Sequence, residues 1–353
     1  MKKIALIEFK TYHTECLYSQ ILFLQAGGYQ ITLICDKKVE KVISDFNRDI
    51  TIISFDFSKF TSLLKVRSLL IKNNIQKVVL NTAQGNAALK FMMLHYPRWM
   101  HFFGIIHNTG KLDTSIGQKL ISRKTGSYFV LSKYQYRHTQ DRKDLSFTYF
   151  NPSFFPEYNS DNTVDEKGDK KWIVIPGALE YKRRDYNFLF DFLEKYKEDK
   201  LNFILLGNGS KNDGPAIINK IKELKLERYF TFFNYFIPNN VFHSYLKKAD
   251  CLFPLIHPET EGASSYRKNK ISGMFPLSLT YNVPLLCHEI FRGVEDFEYP
   301  ALFYNDKNDL INILNNSLKV EHSYTLSFED EKNRYIQFLE RNADTFGSIK
   351  PFV

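Results

Sequence analysis

Residues 172–186 read WIVIPGALEYKRRDY, and this stretch decides how the second half of the chain folds. The apolar run Trp172–Ile175 is typical of a strand buried on both faces of a parallel sheet. Gly177 allows a sharp turn directly after it. Three cations then precede a helix expected over about 185–198, namely Lys182, Arg183 and Arg184. Helix N-termini attract anions and arginine holds phosphate with two parallel hydrogen bonds, so the pattern favours a phosphate site over a merely solvent-facing loop.

Similar apolar runs alternate with helical patterns along the whole chain. Before residue 156 they are KIALIEF, YQITLICD, ITIISFDF, KVVLNT, MHFFGIIHN and GSYFVLS, and after residue 170 WIVIPG, NFILLGNG, FTFFNYF, CLFPLI and VPLLCH. This alternation predicts two Rossmann-like, doubly wound α/β domains with parallel sheets, over 1–155 and 171–326. The polar segment 156–170 is the predicted linker. The final segment, 327–353, contains a helical pattern that could cross back to the first domain.

Composition limits the class of ligand. The chain has 353 residues, 44% of them hydrophobic, and a net charge of +9, which favours anionic ligands. Nucleic acid is not expected, because zinc-finger spacing, a basic zipper and an RNA-binding aromatic signature are all lacking. Between Lys111 and Lys143 eight Lys/Arg residues stand against two Asp. This stretch is either a solvated face or a surface for an anionic membrane.

The cysteines and the apolar runs bear on location. Cys16, Cys35, Cys251 and Cys287 lie far apart without metal-binding spacing, which favours free thiols and the reducing cytosol. No uninterrupted apolar run reaches the length of a membrane span. We therefore expect a cytoplasmic protein that is at most peripheral on the inner face of a membrane.

Candidate site residues follow the predicted strands, because open α/β sheets bind ligands beyond the carboxyl ends of their strands. Two such domains are expected to face a central cleft. In the first domain the candidates are His13, Glu15, His107 and Asn108, and in the second Gly207, Asn208, Lys270, Ser272 and Gly273. No GxGxxG follows the first strand, which argues against a nicotinamide cofactor. No DxD-type acidic pair follows a strand, so no metal is expected.

With these loops placed, the chain resembles the retaining glycosyltransferases of GT-B fold, in their GT4-like group (glycosyl transferase group 1). WIVIPGALEYKRRDY is similar to the strand, glycine and Lys/Arg loop of that family, and NFILLGNGS to its hhhGxG turn. ISGMFPLSLTYNVPLLC is similar to its nucleotide-binding helix and following strand, and FLQAGGYQITLIC to an element of its first domain. The likeness covers most of residues 1–295, and the order of the motifs is more specific than any one of them.

The resemblance implies roles for individual residues. It places Arg183, with Lys182 or Arg184, on the phosphates of a UDP- or GDP-sugar donor, and Gly177 at the turn beside them. Lys270, Ser272 and Gly273 would meet the sugar and phosphates, and His107 would contact the donor sugar near the reacting carbon. Phe236 and Ile237 would lie near the base. Residues of the first domain would bind the acceptor, namely His13, Glu15 and Asn108.

Three positions depart from the family pattern. Ala178 stands where the family has an arginine, and Leu277 where a glutamate holds the ribose hydroxyls. Asn269 occupies the position of that glutamate's partner. The ribose must therefore be held differently, or not at all.

The expected function is a hexosyltransferase-type glycosyltransferase (EC 2.4), retaining and without a required metal or cofactor. Its acceptor would be a glycan or lipid-linked glycan in bacterial surface polysaccharide or glycoconjugate synthesis. The Lys-Arg-Arg loop would stabilise charge on the leaving diphosphate. Two alternatives stay open: a non-catalytic nucleotide-sugar or glycan-binding protein of this fold, and a GT-B phosphorylase or epimerase.

Overall fold

The computed structural model describes residues 2–40, 42–46, 49–164, 166–298, 301–316, 318 and 326–345. The chain forms two compact units. Unit 1 comprises Met1–Pro156, Lys268–Ile271 and Leu326–Val353, and unit 2 comprises Glu157–Arg267 and Ser272–Thr325. Residue 165 of the predicted linker and residues 346–353 of the predicted C-terminal segment lie outside the described residues.

Unit 1 is built on a parallel sheet. Its strands in chain order are β1 (Lys2–Glu8), β2 (Tyr29–Asp36), β3 (Thr51–Phe55), β4 (Lys77–Leu80), β5 (His101–Ile105), β6 (Ser127–Val130) and β7 (Ser146–Tyr149). They lie in the order β3-β2-β1-β4-β5-β6-β7. Every residue of β1 from Ile4 to Glu8 is buried, as a strand covered on both faces requires.

Helices cover both faces of this sheet. They are α1 (Glu15–Ala26), α2 (Lys37–Glu40), α3 (Phe60–Lys72), α4 (Gly85–Met92), α5 (Lys111–Thr114), α6 (Ile116–Thr125) and α7 (Lys133–Arg137), with a 3-10 turn at Ser44–Phe46. Each face has its own core cluster, one around Phe23, Phe129 and Phe150 and the other around Phe91 and Tyr128. Burying such rings is the main stabilising contribution to the unit.

Unit 2 repeats the plan with the strands β8 (Lys171–Pro176), β9 (Leu201–Asn208), β10 (Phe230–Phe233), β11 (Cys251–Leu252), β12 (Leu285–His288) and β13 (Ala301–Tyr304). All are parallel, in the order β10-β9-β8-β11-β12-β13. Its helices are α8 (Tyr186–Lys195), α9 (Gly214–Glu223), α10 (Asn239–Lys248), α11 (Ala263–Tyr266), α12 (Met274–Tyr281), α13 (Glu295–Glu298) and α14 (Lys307–Asn315). Two 3-10 turns, Glu227–Tyr229 and Glu289–Phe291, complete it.

The last helix, α15 (Phe328–Thr345), belongs to unit 1 and packs on α1. The ring of Tyr335 stacks on Phe129 at a centroid distance of 4.3 Å, and its hydroxyl donates to Oε1 of Gln20 at 2.9 Å. Glu331 is buried and accepts a hydrogen bond from the backbone N–H of Asn151 at 2.8 Å. Residues far apart in sequence therefore share one core.

The expectation of two doubly wound parallel-sheet domains is confirmed. The structure adds β7 and β13, which the apolar runs did not predict. Each is an edge strand that pairs with one neighbour, so neither needs a continuous apolar run. The predicted strand CLFPLI is shorter than expected, since β11 ends at Leu252, two residues before Pro254. Proline cannot donate a hydrogen bond within a sheet.

Each sheet reverses its strand order once. The reversal lies between β1 and β4 in unit 1 and between β8 and β11 in unit 2. We call the loops at the carboxyl ends of these strand pairs the unit 1 switch point and the unit 2 switch point. Ligands of open α/β sheets bind at such places, because two loops diverge there and leave a crevice.

Candidate functional site

The unit 2 switch point begins with the turn after β8. Gly177 has a φ of +100°, which favours glycine, and its N–H donates to the carbonyl of Leu206 at 3.0 Å. A Cβ at this position would lie 3.2 Å from Nη2 of Arg184. The turn is therefore shaped to let the Arg184 guanidinium pass close to the backbone.

Arg184 is occupied by backbone carbonyls. Its guanidinium donates to the carbonyl of Pro176 and, at 3.5 Å each, to those of Ala178 and Pro254. It thereby joins the loop after β8 to the loop after β11. Phosphate binding by Arg184 stays a prediction. A phosphate would have to share the guanidinium N–H groups with these three carbonyls.

Lys182 and Arg183 are presented differently. Their side chains are 58% and 55% exposed, and both lie beside the nearly buried carboxylate of Glu180. Nε of Arg183 is 2.5 Å from Oε2 of Glu180, and Nζ of Lys182 is 3.7 Å from the same atom. The Glu180 carboxylate thus holds Lys182 and Arg183 together at the surface. Both side chains keep N–H groups that can reach a ligand.

Asp185 caps the helix that follows. Its Oδ1 accepts from the N–H of Phe188 at 3.0 Å, and its Oδ2 lies 3.0 Å from Nδ1 of His257. The hydrogen bond from His257 holds the pKa of Asp185 below its ordinary value. Nε2 of the buried His257 is 2.5 Å from the hydroxyl of Tyr304. This series of hydrogen bonds fixes the loop after β11 against α8. The sequence analysis did not predict the contact, although the motif HPET follows a strand.

The second loop of the unit 2 switch point ends at α12. Gly273 is its N-cap, with no side chain bonded to the helix at that residue, and a Cβ there would meet no atom within 4 Å. The nearby Ser272 hydroxyl is 3.4 Å from the N–H of Met274. The N-terminus of α12 therefore faces open space, where helix N–H groups attract negative charge. Leu277, the position of the family's ribose glutamate, is buried in this helix.

Gly207, near the end of β9, serves packing. A Cβ at this position would lie 2.1 Å from the carbonyl oxygen of Gly177, so β9 touches the turn after β8 backbone to backbone. The side chain of Asn208 accepts from the N–H and hydroxyl of Ser210 at 3.0 and 2.7 Å. Beyond β10, Phe236 is 70% exposed whereas Ile237 is buried.

Lys270 belongs to a different unit from the other predicted phosphate residues. It lies in the segment Lys268–Ile271, which belongs to unit 1. Its neighbour Asn269 fixes that segment, because the Asn269 carbonyl accepts from the N–H of Thr109 at 3.1 Å and from Nε2 of Gln135 at 2.9 Å. The structure thus groups Lys182, Arg183, Ser272 and Gly273 in one unit and Lys270 in the other.

The unit 1 switch point contains a fully buried acid, Glu8, at the end of β1. Its Oε2 accepts from Nδ2 of Asn81 at 2.6 Å and from the hydroxyl of Thr82 at 2.7 Å, both just after β4. Its Oε1 accepts from the N–H of Lys10 at 2.8 Å. Burial raises the pKa of Glu8 to about 7, against the opposing effect of these hydrogen bonds.

Two histidines stack beside this acid. The rings of His13 and His107 are 3.7 Å apart with an interplanar angle of 17°. Burial, with the neighbouring His13 ring, lowers the pKa of His107 to about 3, so its imidazole is neutral. Its Nε2 is 2.8 Å from the carbonyl of Asn81, which can only accept, so Nε2 carries the proton and Nδ1 is a hydrogen-bond acceptor.

His13 is held in an unusual conformation. Its φ is +71°, rare for a residue with a side chain, and its Nδ1 lies 3.3 Å from Oε1 of Glu15. Asn108 lies after β5 on the same edge, and its side chain accepts from the N–H of Gly110 at 3.1 Å. The structure therefore brings His13, Glu15 and His107 together, while Glu8, Asn81 and Thr82 were not anticipated.

Within the described ranges no three or more His, Cys, Asp or Glu residues are arranged to hold a metal ion. The four cysteines are buried and free. Among the helices whose residues are described, none combines the length and apolar character needed to cross a bilayer.

Comparison with known proteins shows the fold. HepE from Anabaena, solved with UDP and glucose, is 13% identical over 99% of this chain and all of its own, with a TM-score of 0.63. A glycosyltransferase from Rickettsia africae is 14% identical over 98% of this chain and 97% of its own, with a TM-score of 0.59. A Listeria monocytogenes protein described as a UDP-N-acetylglucosamine 2-epimerase is 11% identical over 99% of this chain and all of its own, with a TM-score of 0.63.

No model of a known protein family matches the chain, and no curated protein sequence matches it. The structural likeness places the chain among proteins of GT-B fold. At these identities it establishes architecture and leaves the activity to be argued from the site.

Proposed function

We propose that the chain is a glycosyltransferase that moves a sugar from a UDP- or GDP-sugar to a glycan or lipid-linked glycan. The observation that carries the proposal is the unit 2 switch point. There, exposed Lys182 and Arg183 follow β8, and the open N-terminus of α12 follows the neighbouring strand β11. Fixed cations and helix N–H groups are the two protein features that best bind a diphosphate.

The chemistry follows from where charge develops. When the bond between the sugar and the diphosphate breaks, negative charge builds on the leaving oxygen, and preorganised donors stabilise it. Arg183 and Lys182 supply such donors without a metal ion. Exposed Phe236 offers a ring for the base, as the resemblance implies. Retention of configuration also rests on the resemblance.

Unit 1 would bind the acceptor. His13 is oriented by Glu15 to contact an acceptor hydroxyl. His107 would instead contact the donor sugar, as the resemblance implies, and its neutral imidazole can accept a hydrogen bond from a sugar hydroxyl through Nδ1. Asn108 would contribute its backbone and side chain on the same sheet edge. The role in surface polysaccharide or glycoconjugate synthesis belongs to this proposal as well.

A thermal-shift panel with UDP, GDP, CDP and their sugars tests the donor site. A nucleotide at 100 times its Kd should stabilise the fold by about 2.7 kcal/mol. We expect a shift with one nucleotide that is lost in Arg183→Ala. The matched control is Arg228→Ala. Like Arg183, Arg228 is about half exposed (57%) and pairs with a carboxylate, that of Asp199 at 3.2 Å. It lies before β10, at the amino end of the strand rather than the carboxyl end.

Turnover separates the proposal from its competitors. Transfer to an added glycan acceptor, dependent on Arg183, supports it. Nucleotide binding without transfer to any acceptor would favour a binding protein, and turnover of the nucleotide sugar alone or with inorganic phosphate would favour an epimerase or phosphorylase. An equal loss of nucleotide binding in Arg228→Ala would refute the assignment of the nucleotide site to Arg183.

The basic stretch Lys111–Lys143 suggests a membrane surface. On α6, Ile116 and Leu120 are 79% and 37% exposed beside the exposed cations Lys119 and Arg123. Exposed apolar side chains among cations suit an anionic bilayer. We expect wild type to pellet with anionic vesicles and Ile116→Ser/Leu120→Ser to pellet less, while Leu64→Ser, a helical leucine 42% exposed on α3, behaves as wild type. Equal pelleting with neutral and anionic lipid would refute this part.

A further inference from the structure

A cavity of about 420 Å³ opens in unit 1 between the ends of β1 and β2, the loop before α3, and the first turns of α4. This volume falls within the usual range of small-molecule sites. Phe9 and Leu63, which are buried, line its floor. The residues proposed above for the acceptor, His13, Glu15 and Asn108, do not line it, so the cavity needs its own explanation.

Two aromatic rings stand exposed at the cavity. Tyr12 and Phe60 both line it, and each is 51% exposed. Exposing large rings costs free energy, and apolar rings beside a concave site commonly serve as contact surfaces for a ligand. A pyranose ring has an apolar C–H face of matching size. The rings therefore favour a sugar over a purely ionic ligand.

The cavity is cationic as well. Lys10, Lys38 and Lys90 line it against one acid, Asp36, so the lining carries three positive charges and one negative charge, an excess of two. In the described part of the chain no carboxylate forms an ion pair with these lysines. The carboxylate of Asp36 accepts from the N–H groups of Lys38 and Phe57 at 3.0 and 3.2 Å, so backbone donors partly compensate its charge.

Two further details favour the binding of an anion near Lys10. Nζ of Lys10 donates to the Tyr12 hydroxyl at 2.7 Å, which holds a cation next to an exposed ring. The same Nζ would lie 3.7 Å from a Cβ on Gly85, the first residue of α4, which has no acidic residue in its first turn. The positive end of α4 therefore adds to the field of the lysines.

We propose that this cavity binds a pyranose ring that carries a phosphate or carboxylate group. The ring packs on Tyr12 and Phe60, and the anionic group is held by Lys10, Lys38 and Lys90. As part of an acceptor site the cavity rests on the proposed function, whereas binding itself does not. In the first domain the sequence drew attention to Lys111–Lys143, either a solvated face or a surface for an anionic membrane, and that stretch contains none of these lysines.

Calorimetric titration with glucose 6-phosphate, glucuronate, glucose and inorganic phosphate tests this. Wild type should bind at least one of the two charged sugars more tightly than glucose. Lys38→Gln/Lys90→Gln should bind that sugar about tenfold more weakly or worse, a change of about 1.4 kcal/mol. The control Lys65→Gln/Lys72→Gln removes the same charge from exposed lysines of α3 that do not line the cavity, and it should bind as wild type.

Phe60→Ala separates the ring contact from the charge. It should weaken binding of the charged sugar severalfold and leave binding of inorganic phosphate unchanged. Two results would overturn the inference: no charged sugar binds wild type, or both double variants lose affinity equally, which would indicate general attraction to a basic protein. The nucleotide panel is independent, since nucleotide binding with no binding of charged sugars leaves the proposed function intact and refutes only this site.

Discussion

The two switch points occupy equivalent positions in two sheets whose first six strands follow the same order, yet their side chains differ in kind. In unit 2 the loops carry the exposed cations Lys182 and Arg183. In unit 1 the same position holds two stacked imidazoles and the buried acid Glu8, whose pKa burial raises to about 7. The comparison teaches that topology supplies a crevice at each sheet edge, and the buried partners of each side chain decide its chemistry.

This difference suits a division of labour. A diphosphate needs a positive charge that does not vary with pH. A sugar hydroxyl can donate to an uncharged acceptor, and burial keeps His107 neutral by lowering its pKa to about 3. The following predictions probe each side of the comparison, beginning with the largest effect.

Replacing Arg183 with alanine should lower the transfer rate about 100- to 1,000-fold, because one preorganised donor to the leaving group is lost. Transfer of label from a nucleotide sugar under single-turnover conditions measures this. Arg228→Ala should leave the rate within about twofold, since Arg228 lies at the opposite sheet edge. A small effect of Arg183→Ala would mean that the exposed cations after β8 do not act on the donor.

Gly207→Ala should destabilise unit 2 by about 3 kcal/mol or more, since its Cβ would lie 2.1 Å from the Gly177 carbonyl and the backbone must shift. Gly273→Ala is the control, because a Cβ there meets no atom within 4 Å, and its cost should be below about 1 kcal/mol. Urea unfolding followed by the fluorescence of Trp172, a buried residue of unit 2, reports both. Equal losses of unfolding free energy in the two variants would show that the contact between Gly207 and Gly177 is not rigid.

Glu8→Gln should change how stability depends on pH. The pKa of Glu8 in the folded protein is about 7, above its ordinary value of 4.5, so the folded protein keeps a proton that the unfolded chain releases. The resulting stability is present below pH 4.5 and is lost as pH rises through 7, a change on the order of 3 kcal/mol. Glutamine does not titrate, so the stability of wild type relative to the variant should fall by that amount.

The measurement for Glu8 is urea unfolding at several pH values, followed by Trp99 of unit 1 in a Trp172→Phe background. His107 contributes an opposite slope between about pH 3 and 6.5, because its lowered pKa makes the unfolded state bind the proton. That slope is common to both proteins and cancels in the difference. A constant difference across the pH range would mean that Glu8 has the same pKa in the folded and unfolded protein, so that burial does not raise it.

His13→Val should cost about 1–3 kcal/mol more than His13→Asn. The backbone of His13 has a φ of +71°, which asparagine tolerates and a β-branched residue resists. Both variants lose the ring stacked on His107, so the difference in stability between them reports the backbone strain at position 13. Thermal unfolding measures it, and equal melting temperatures would show that the loop after β1 relaxes.

The sequence was sufficient for the architecture and for the loops that carry the candidate site. Apolar runs such as KIALIEF mark strands because both faces of a parallel sheet are buried. The edge strands β7 and β13 were missed because an edge strand can alternate polar and apolar residues. Helix α8 begins where the pattern indicated, since Asp185 is a good N-cap.

The partners within each site could not be read from the sequence. Glu8 is buried because Asn81 and Thr82, 73 and 74 residues away, satisfy its oxygens. Arg184 is adjacent to Arg183 but turns to the carbonyl of Pro254, 70 residues away. Adjacent cations look equivalent in sequence, and only tertiary contacts separate an exposed arginine from one that binds backbone carbonyls.

Helix α15 has a consequence for the synthesis of the chain. The Tyr335 hydroxyl bonds to Gln20 across 315 positions, and Tyr335 and Leu339 are fully buried in the core that also contains β1. A ribosome delivers the whole of unit 2 before it delivers this helix, so unit 2 can finish folding while unit 1 still lacks one wall of its core. The strands of unit 1 would then wait longest for their final partners, and chaperones that shield exposed apolar surface would be needed most at that sheet.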